Sequence, residues 1–261
     1  MGEHNGSRAT AVSRVPAAGE DVWELHRSLP HTLPADEILA VNKPKPDLHT
    51  HRTYTYNGWS FDLPPGVFMP GETSRMVHDR LLDGTIPVAG RSYAAMGAGL
   101  GVEAVVAGVR EAREVYAMDV DPDSVRAAAE HYARIVGERP GTAFHPLVSD
   151  LFDGFPEGAQ ADVITFNPPA VRETVSDDPA VVRNVCVGID IAVRFFDQIV
   201  RRDLLSADGE VYLIVSNTAE IRDIVRYAIE SGFTPEVIHR QTWDTDNVQT
   251  CLFRLRRRVA A

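Results

Sequence analysis

The stretch "ADVITFNPPAV", residues 161–171, ends an apolar run with an amide side chain and two prolines. Proline lacks an amide hydrogen and has a fixed φ, so Asn167 and Pro168 can hold their carbonyl oxygens at set angles. Two fixed acceptors suit a planar NH or NH₂ group and can turn its lone pair towards an electrophile, which is catalysis by positioning. We interpret Asn167 and Pro168 as candidate catalytic residues. The alternative is that the prolines only end a strand.

A second candidate is the glycine-rich stretch "YAAMGAGLGVEAVVAG", residues 93–108. Its alternate glycines let a ligand approach the backbone at the start of a helix, where free N–H groups are available. They are Gly97, Gly99 and Gly101. Asp119, about 20 residues further on, can accept hydrogen bonds from ribose hydroxyls. The loop fits both a dinucleotide and S-adenosylmethionine, and by itself it does not choose between them.

Alternating strands and helices must position these residues. The sequence predicts strands at 92–96, 115–120, 143–148, 162–166, 210–215, 234–240 and 249–256, and helices at 102–112, 122–137, 180–204 and 218–231. The pattern predicts an α/β fold with a Rossmann-like seven-stranded sheet, mostly parallel with the last strand antiparallel, and helices on both faces. Ligands of such sheets bind beyond the carboxyl ends of the strands, so Asn167 should face the ligand of the glycine loop.

We predict three regions: a disordered tail (1–20), a cap with a helix and a β-hairpin (21–82), and the main domain (83–261). The hairpin prediction rests on Asn57-Gly58 between two short strand-like runs. The aromatic residues of the hairpin either wall the site or, as we favour, pack on the main sheet. They are Tyr54, Tyr56, Trp59 and Phe61.

The formal charge of −11 argues against a nucleic-acid partner, because phosphate neutralisation supplies most non-specific affinity. No apolar run is long enough to span a membrane, and the first residues do not read as a signal peptide, so we expect a cytoplasmic protein. The two cysteines and the alternate histidines His49 and His51 do not suggest a metal site. A homodimer is possible.

Several motifs together resemble the class I S-adenosylmethionine-dependent methyltransferases, in the branch whose Asn-Pro-Pro motif marks nitrogen methylation. Within that branch the sequence is similar to the glutamine methyltransferases of peptide release factors. The motifs are "GVFMPGETS" (66–74), "VYAMDVDPDSVRAAAEHYAR" (115–134), "SDLFDGFP" (149–156), the Asn-Pro-Pro stretch and residues 187–215. The resemblance implies S-adenosylmethionine as cofactor. With the glycine loop, it implies these cofactor-binding residues: Phe68, Thr73, Gly97, Gly99, Gly101, Asp119, Val120, Asp150, Leu151 and Asn167.

The sequence departs from that family at two positions. Ala95 stands where such enzymes usually carry an acid that helps to hold the methionine part of the cofactor, so either another polar group supplies that contact or the affinity for the cofactor is lower. Ala170 stands where they usually carry an aromatic residue against the substrate. The first 60 residues also do not clearly match the family's release-factor-recognition domain.

The acidic balance of the chain and the acidic stretch "RETVSDD" (172–178) after the motif favour a small-molecule acceptor with a planar guanidine or amide nitrogen, such as arginine or a related natural-product metabolite. We name Glu72, Pro169 and Glu173 as candidate substrate-binding residues, since carboxylates suit a guanidinium group. A protein glutamine methyltransferase of the release-factor type, a non-catalytic cofactor-binding protein and a nicotinamide-dependent oxidoreductase remain alternatives.

Overall fold

The structure is a computed structural model that describes residues 22–243 and 247–258. Its helices are α1 (Val22–Ser28), α2 (Ala35–Val41), α3 (Glu72–Asp83), α4 (Val102–Val109), α5 (Pro122–Ile135), α6 (Pro179–Val185), α7 (Asp190–Arg201) and α8 (Ile221–Glu230). Its strands are β1 (Arg52–Tyr56), β2 (Trp59–Leu63), β3 (Ser92–Met96), β4 (Glu114–Asp119), β5 (Ala143–Val148), β6 (Ala161–Phe166), β7 (Leu205–Ser216), β8 (Phe233–Thr242) and β9 (Gln249–Arg257).

The main sheet has seven strands in the order β5-β4-β3-β6-β7-β9-β8. The strand β9 runs antiparallel to both of its neighbours, and the other described pairings are parallel. This confirms the predicted fold class. The chain moves outward from β3 to β5 and then returns to β6 beside β3. The strand order therefore reverses between β3 and β6, where ligands of open α/β sheets bind.

Apolar side chains on β3 alternate between the two faces of the sheet. Ala94 and Met96 belong to one buried cluster, which also contains residues of α7 and α8, such as Phe195. Tyr93 and Ala95 belong to the other, which contains residues of α3, α4 and the hairpin. A strand buried on both faces is what the helical cover on each side requires.

The hairpin β1–β2 turns at Asn57 and Gly58, whose φ values of 49° and 76° suit the tight turn predicted from the sequence. It packs against α5. Phe61 lies against the ring of His131, and the Asp62 amide donates to His131 Nε2 at 2.9 Å. The predicted disordered tail lies outside the described residues, and the division into a cap and a main domain stays a prediction.

The predicted helix over 180–204 is wrong. The structure has two helices, α6 and α7, separated by residues 186–189. Gly188 has a φ of 86°, which a continuous helix cannot accommodate. The break also frees the Val187 amide to donate to the Pro169 carbonyl at 2.7 Å. A contact with the Asn-Pro-Pro stretch thus replaces helical hydrogen bonds.

Candidate functional site

A cavity of about 770 Å³ opens at the carboxyl ends of β3, β4 and β6. It is lined by most of the residues predicted from the sequence: Phe68, Thr73, Gly97, Gly99, Asp119, Val120, Asp150, Leu151, Asn167, Pro168 and Pro169. Three other predicted residues are not among its lining: Glu72, Gly101 and Glu173. The binding roles of all these residues stay predictions, but the fold brings the first group to one place.

The glycine loop is tied to the end of β4 by a carboxylate. The Gly99 amide donates to Asp119 Oδ2 at 2.9 Å, and the Asp121 amide donates to Asp119 Oδ1 at the same distance. Burial raises the pKa of Asp119, whereas the Asp121 and Gly99 amides act in the opposite direction. Asp119 keeps further lone pairs at the cavity, so it can still accept hydrogen bonds from a ligand.

Two glycines of this loop, Gly99 and Gly101, are required for different structural reasons. Gly99 and Gly101 both have positive φ values, 49° and 75°. A Cβ on Gly99 would meet no atom within 4 Å, so the backbone there is open to a ligand. A Cβ on Gly101 would lie 2.6 Å from the Ala128 Cβ. Gly101 therefore allows α4 to approach α5 closely and lies behind the cavity surface.

A second edge of the cavity carries an ion pair. Asp150 follows β5, and its Oδ2 lies 2.5 Å from Arg194 Nη2 on α7. Both side chains are about half exposed, at 49% and 47%, so the pair is worth little to stability. It holds the Asp150 carboxylate in place beside Leu151 at the mouth of the cavity, where Val120 and Phe68 are exposed apolar neighbours.

The Asn-Pro-Pro stretch leaves β6 with Asn167 exposed on the cavity surface. The next residues are fixed by backbone hydrogen bonds. The Ala170 amide donates to the Pro168 carbonyl at 2.8 Å, and the Val187 amide donates to the Pro169 carbonyl at 2.7 Å. The Pro168 oxygen keeps one lone pair, so a planar nitrogen ligand would share it with Ala170.

The far wall of the cavity comes from distant parts of the chain. It includes Val41, Asn42 and Lys45 near the N-terminal end, Val187 between α6 and α7, and Trp243 after β8. Ala170 also lines the cavity and is 3% exposed. The hairpin aromatics are not among the lining residues. The rings of Tyr56 and Phe61 lie against His78 on α3 and His131 on α5, so packing on the main sheet itself stays a prediction.

Sequence reasoning missed a polar cluster beneath the glycine loop. The Tyr93 hydroxyl donates to Glu103 Oε2 at 2.9 Å, and the Thr165 hydroxyl makes a short hydrogen bond to the same oxygen. His78 Nε2 lies 3.8 Å from Glu103 Oε1. Glu103 and His78 line the cavity. The only signal in the sequence was that an acidic residue, Glu103, follows the glycine loop. The dinucleotide-binding pattern allows any residue at this position, so the acid did not stand out.

Within residues 22–243 and 247–258, no group of three or more metal-ligating side chains could hold a metal ion. His49 instead pairs with Asp178 at 2.5 Å. No helix in the same part of the chain is long and apolar enough to cross a membrane.

Several solved structures with the same fold are methyltransferases. A 16S rRNA methyltransferase from T. thermophilus, in complex with AdoMet and guanosine, is 20% identical with a TM-score of 0.57, over 82% of this chain and 52% of that one. A ribosomal protein L11 methylase from Lactobacillus delbrueckii subsp. bulgaricus is 18% identical with a TM-score of 0.53, over 76% and 84%. A structure of an E. cuniculi complex responsible for methylation of the termination factor eRF1 is 18% identical with a TM-score of 0.51, over 74% of this chain and 99% of that one.

No protein-family model and no curated protein sequence matches the chain. The similarity to solved structures therefore establishes one thing, the fold. The chain has the Rossmann-like fold of these methyltransferases, with a cavity at the position in the sheet where such folds bind their ligands.

Proposed function

We propose that this protein is an S-adenosylmethionine-dependent N-methyltransferase that acts on a planar guanidine or amide nitrogen of a small molecule, such as arginine or a related natural-product metabolite. The observation that carries the proposal is the position of Asn167. It ends β6 at the point where the strand order reverses, and it shares one cavity with the glycine loop and Asp119.

The residues of the cavity fit this cofactor. Gly99 leaves open space above the loop, and Asp119 can accept hydrogen bonds from the ribose hydroxyls. Asp150 and Leu151 would meet the adenine, and Phe68, which precedes α3, and Thr73, in its first turn, would close over the cofactor. The cofactor would supply a methyl group on a sulfonium sulfur. The solved T. thermophilus enzyme of the same fold holds AdoMet, which supports the assignment.

The chain would contribute catalysis mainly by positioning the acceptor. Amide and guanidine nitrogens are poor nucleophiles because their lone pairs are delocalised. The Asn167 side-chain oxygen and the Pro168 carbonyl would accept hydrogen bonds from the two N–H groups of the planar nitrogen. These bonds would direct the nitrogen lone pair towards the sulfonium methyl group. The new N–C bond forms as the S–C bond breaks, and the nitrogen releases a proton.

The size and walls of the cavity favour a small acceptor. Drug-sized ligands occupy pockets of roughly 300–1,000 Å³, so 770 Å³ can hold the cofactor with a small molecule beside it. Asn42 and Lys45 from the N-terminal segment also line the cavity. The formal charge of −11 also disfavours a nucleic-acid acceptor.

A second candidate is methylation of a protein glutamine. Its support is the shared fold with the E. cuniculi complex that methylates eRF1. A glutamine amide has the same planar NH₂ group as the proposed small molecules, so Asn167 and Pro168 would serve it equally well. The two candidates differ in the size of the acceptor.

Titration calorimetry with S-adenosylhomocysteine and with NAD tests the cofactor. Saturable binding of the first alone is expected, and binding of NAD alone would refute the proposal. Mass spectrometry after incubation with S-adenosylmethionine then tests the acceptor. A gain of one methyl mass on arginine or a related guanidine supports the small-molecule reaction, whereas methylation confined to release-factor fragments supports the second candidate.

A further inference from the structure

The buried polar cluster beneath the glycine loop contains a carboxylate that has no cationic partner among residues 22–243 and 247–258. Glu103 is the second residue of α4, and its side chain is 18% exposed. Its Oε2 accepts hydrogen bonds from two fully buried hydroxyls, those of Tyr93 and Thr165. Its only ion-pair contact among the described residues is with His78 Nε2 at 3.8 Å.

His78 does not neutralise this carboxylate. Its side chain is 3% exposed, and burial lowers the pKa of His78 to about 3, with a further lowering by the charge of Arg75. The imidazole is therefore neutral near pH 7. Its Nδ1 atom is buried and has no hydrogen-bond partner in the described structure. Burial likewise raises the pKa of Glu103, although the Thr165 and Tyr93 hydroxyls favour the charged form. A buried anion in this state is costly unless a cation joins it.

The register of the sheet shows where this carboxylate lies. Ala95 on β3 is directly opposite Thr165 on β6, and Tyr93 is two residues before Ala95. All three side chains project from the face of the sheet that α4 covers, because alternate residues share a face. The small Ala95 side chain leaves this face open, and the Glu103 carboxylate reaches across it to Thr165.

The carboxylate is also within reach of the methionine part of a bound cofactor. Thr165 precedes Asn167 by two residues, which is about 6.6 Å along a strand. A sulfonium methyl group aimed at Asn167 would place the α-ammonium group four bonds away from the sulfur. Among the lining residues, Glu103 follows the glycine loop directly in sequence and lies 3.8 Å from His78 on α3.

We propose that Glu103, held by Tyr93 and Thr165, binds the α-ammonium group of the cofactor's methionine part. The inference rests on the proposed function, since it requires S-adenosylmethionine as the ligand. Glu103 thereby supplies a negative charge that Ala95 cannot, and the ammonium group supplies the cation that the cluster lacks.

Two ligands that differ only in the amino-acid part provide the test. S-adenosylhomocysteine carries the α-ammonium group, whereas 5′-methylthioadenosine retains the adenosine and the sulfur without it. Calorimetry should show that Glu103→Gln weakens S-adenosylhomocysteine about tenfold or more, the loss expected for a charge-assisted hydrogen bond, and leaves methylthioadenosine within about twofold. Asp119→Asn is the matched control, and it should weaken both ligands because both carry the ribose.

Other outcomes would overturn the inference. Equal weakening of both ligands by Glu103→Gln would mean that the carboxylate only supports the loop. Unchanged affinity of Glu103→Gln for both ligands would mean that Glu103 does not contact the ammonium group. The same conclusion would follow if this variant kept both affinities and lost only binding of the methyl acceptor. If the wild-type protein binds neither ligand, the proposed function itself fails.

A second measurement covers the case in which Glu103→Gln does not fold. The ratio of the wild-type affinities for S-adenosylhomocysteine and methylthioadenosine should fall as the pH drops through the raised pKa of Glu103. Titration of Asp119 should not change this ratio, because both ligands carry the ribose. Thr165→Val removes a donor to the charged carboxylate, so this fall should move to higher pH. His78 from α3, which stays neutral, and the Tyr93 hydroxyl from β3 also face the carboxylate. An unmoved pH profile in Thr165→Val would refute the role of the cluster.

Discussion

Gly99 and Gly101 lie two residues apart in one loop, and alanine should mainly reduce ligand affinity at Gly99 and mainly reduce stability at Gly101. Both residues have positive φ values, so either substitution costs about 1–2 kcal/mol of backbone strain. At Gly101 the new Cβ would also lie 2.6 Å from the Ala128 Cβ and 2.8 Å from its Cα. Overpacking of this kind costs about 1–3 kcal/mol more.

The free energy of unfolding should therefore fall by about 1–2 kcal/mol in Gly99→Ala and by about 2–5 kcal/mol in Gly101→Ala. For a chain of this size, 1 kcal/mol corresponds to roughly 2–4 °C in the melting temperature. Thermal melts should place Gly101→Ala below Gly99→Ala by about 2–12 °C. Ala128→Gly combined with Gly101→Ala should recover only part of the loss, because the Ala128 Cα remains close.

Ligand affinity should follow the reverse order. The Cβ of Gly99→Ala would enter the open space of the cavity and obstruct the cofactor, so affinity for S-adenosylhomocysteine should fall more than in folded Gly101→Ala. Calorimetry at a temperature where both variants are folded measures this. Equal melting temperatures, or weaker ligand binding in Gly101→Ala than in Gly99→Ala, would refute the assignment of one glycine to the ligand and the other to packing.

Three further predictions concern single side chains. Asn167→Ala should lower kcat for methyl transfer by about a hundredfold while the protein stays folded, because the acceptor nitrogen loses its alignment; a rate near that of the wild type would remove the basis of the proposed chemistry. Burial alone would raise the pKa of Glu210, but hydrogen bonds from Tyr212 and Arg256 and the charges of Arg256 and Arg254 lower this pKa overall. The Glu210 carboxylate therefore stabilises the folded state above the pKa of the unfolded chain. This stabilisation is lost as the pH falls through the pKa of the folded state. Glu210→Gln should cost about 1.5–3 kcal/mol in denaturant unfolding at pH 7 and much less near pH 3, and a pH-independent loss would contradict this account. The His78 imidazole should remain neutral down to about pH 3 in NMR titrations, so that stability falls between the unfolded pKa and that value as the pH is lowered, and a titration near pH 6.5 would show that the ring is not buried as described.

The parts of the fold that were readable from the sequence depend on local signals. Asp121 and Pro122 predict the start of α5, and the Asp121 side chain does accept a hydrogen bond from the Ser124 amide. The break between α6 and α7 has one local signal, Gly188, which the predicted helix over 180–204 passed over. The hydrogen bond from the Val187 amide to the Pro169 carbonyl, which accompanies the break, could not be predicted because only the folded chain brings these groups together.

The same distinction applies to the candidate site. The glycine loop, Asp119 and Asn167 each follow a strand directly, so the order of elements predicts that they meet at one edge of the sheet. Glu103 was not predicted to join them, since its partners lie on two strands whose adjacency is a property of the whole sheet. Lys45 and Trp243 reach the cavity for a similar reason, from segments nearly 200 residues apart in the chain.

The loop after Asn167 also bears on how this protein could acquire a new acceptor. Ala170 forms an isolated antiparallel bridge with Cys186, and Val171 forms another with Ala219. The segment after Asn167 is therefore held between two parts of the chain that do not belong to the glycine loop. In the proposed reaction, the glycine loop and Asp119 would hold the cofactor, whereas the segment after Asn167 would face the acceptor. Changes at Val187, Trp243 or Lys45 could exchange one acceptor for another without disturbing the loop or Asp119. Selection could act on the two sets of residues separately.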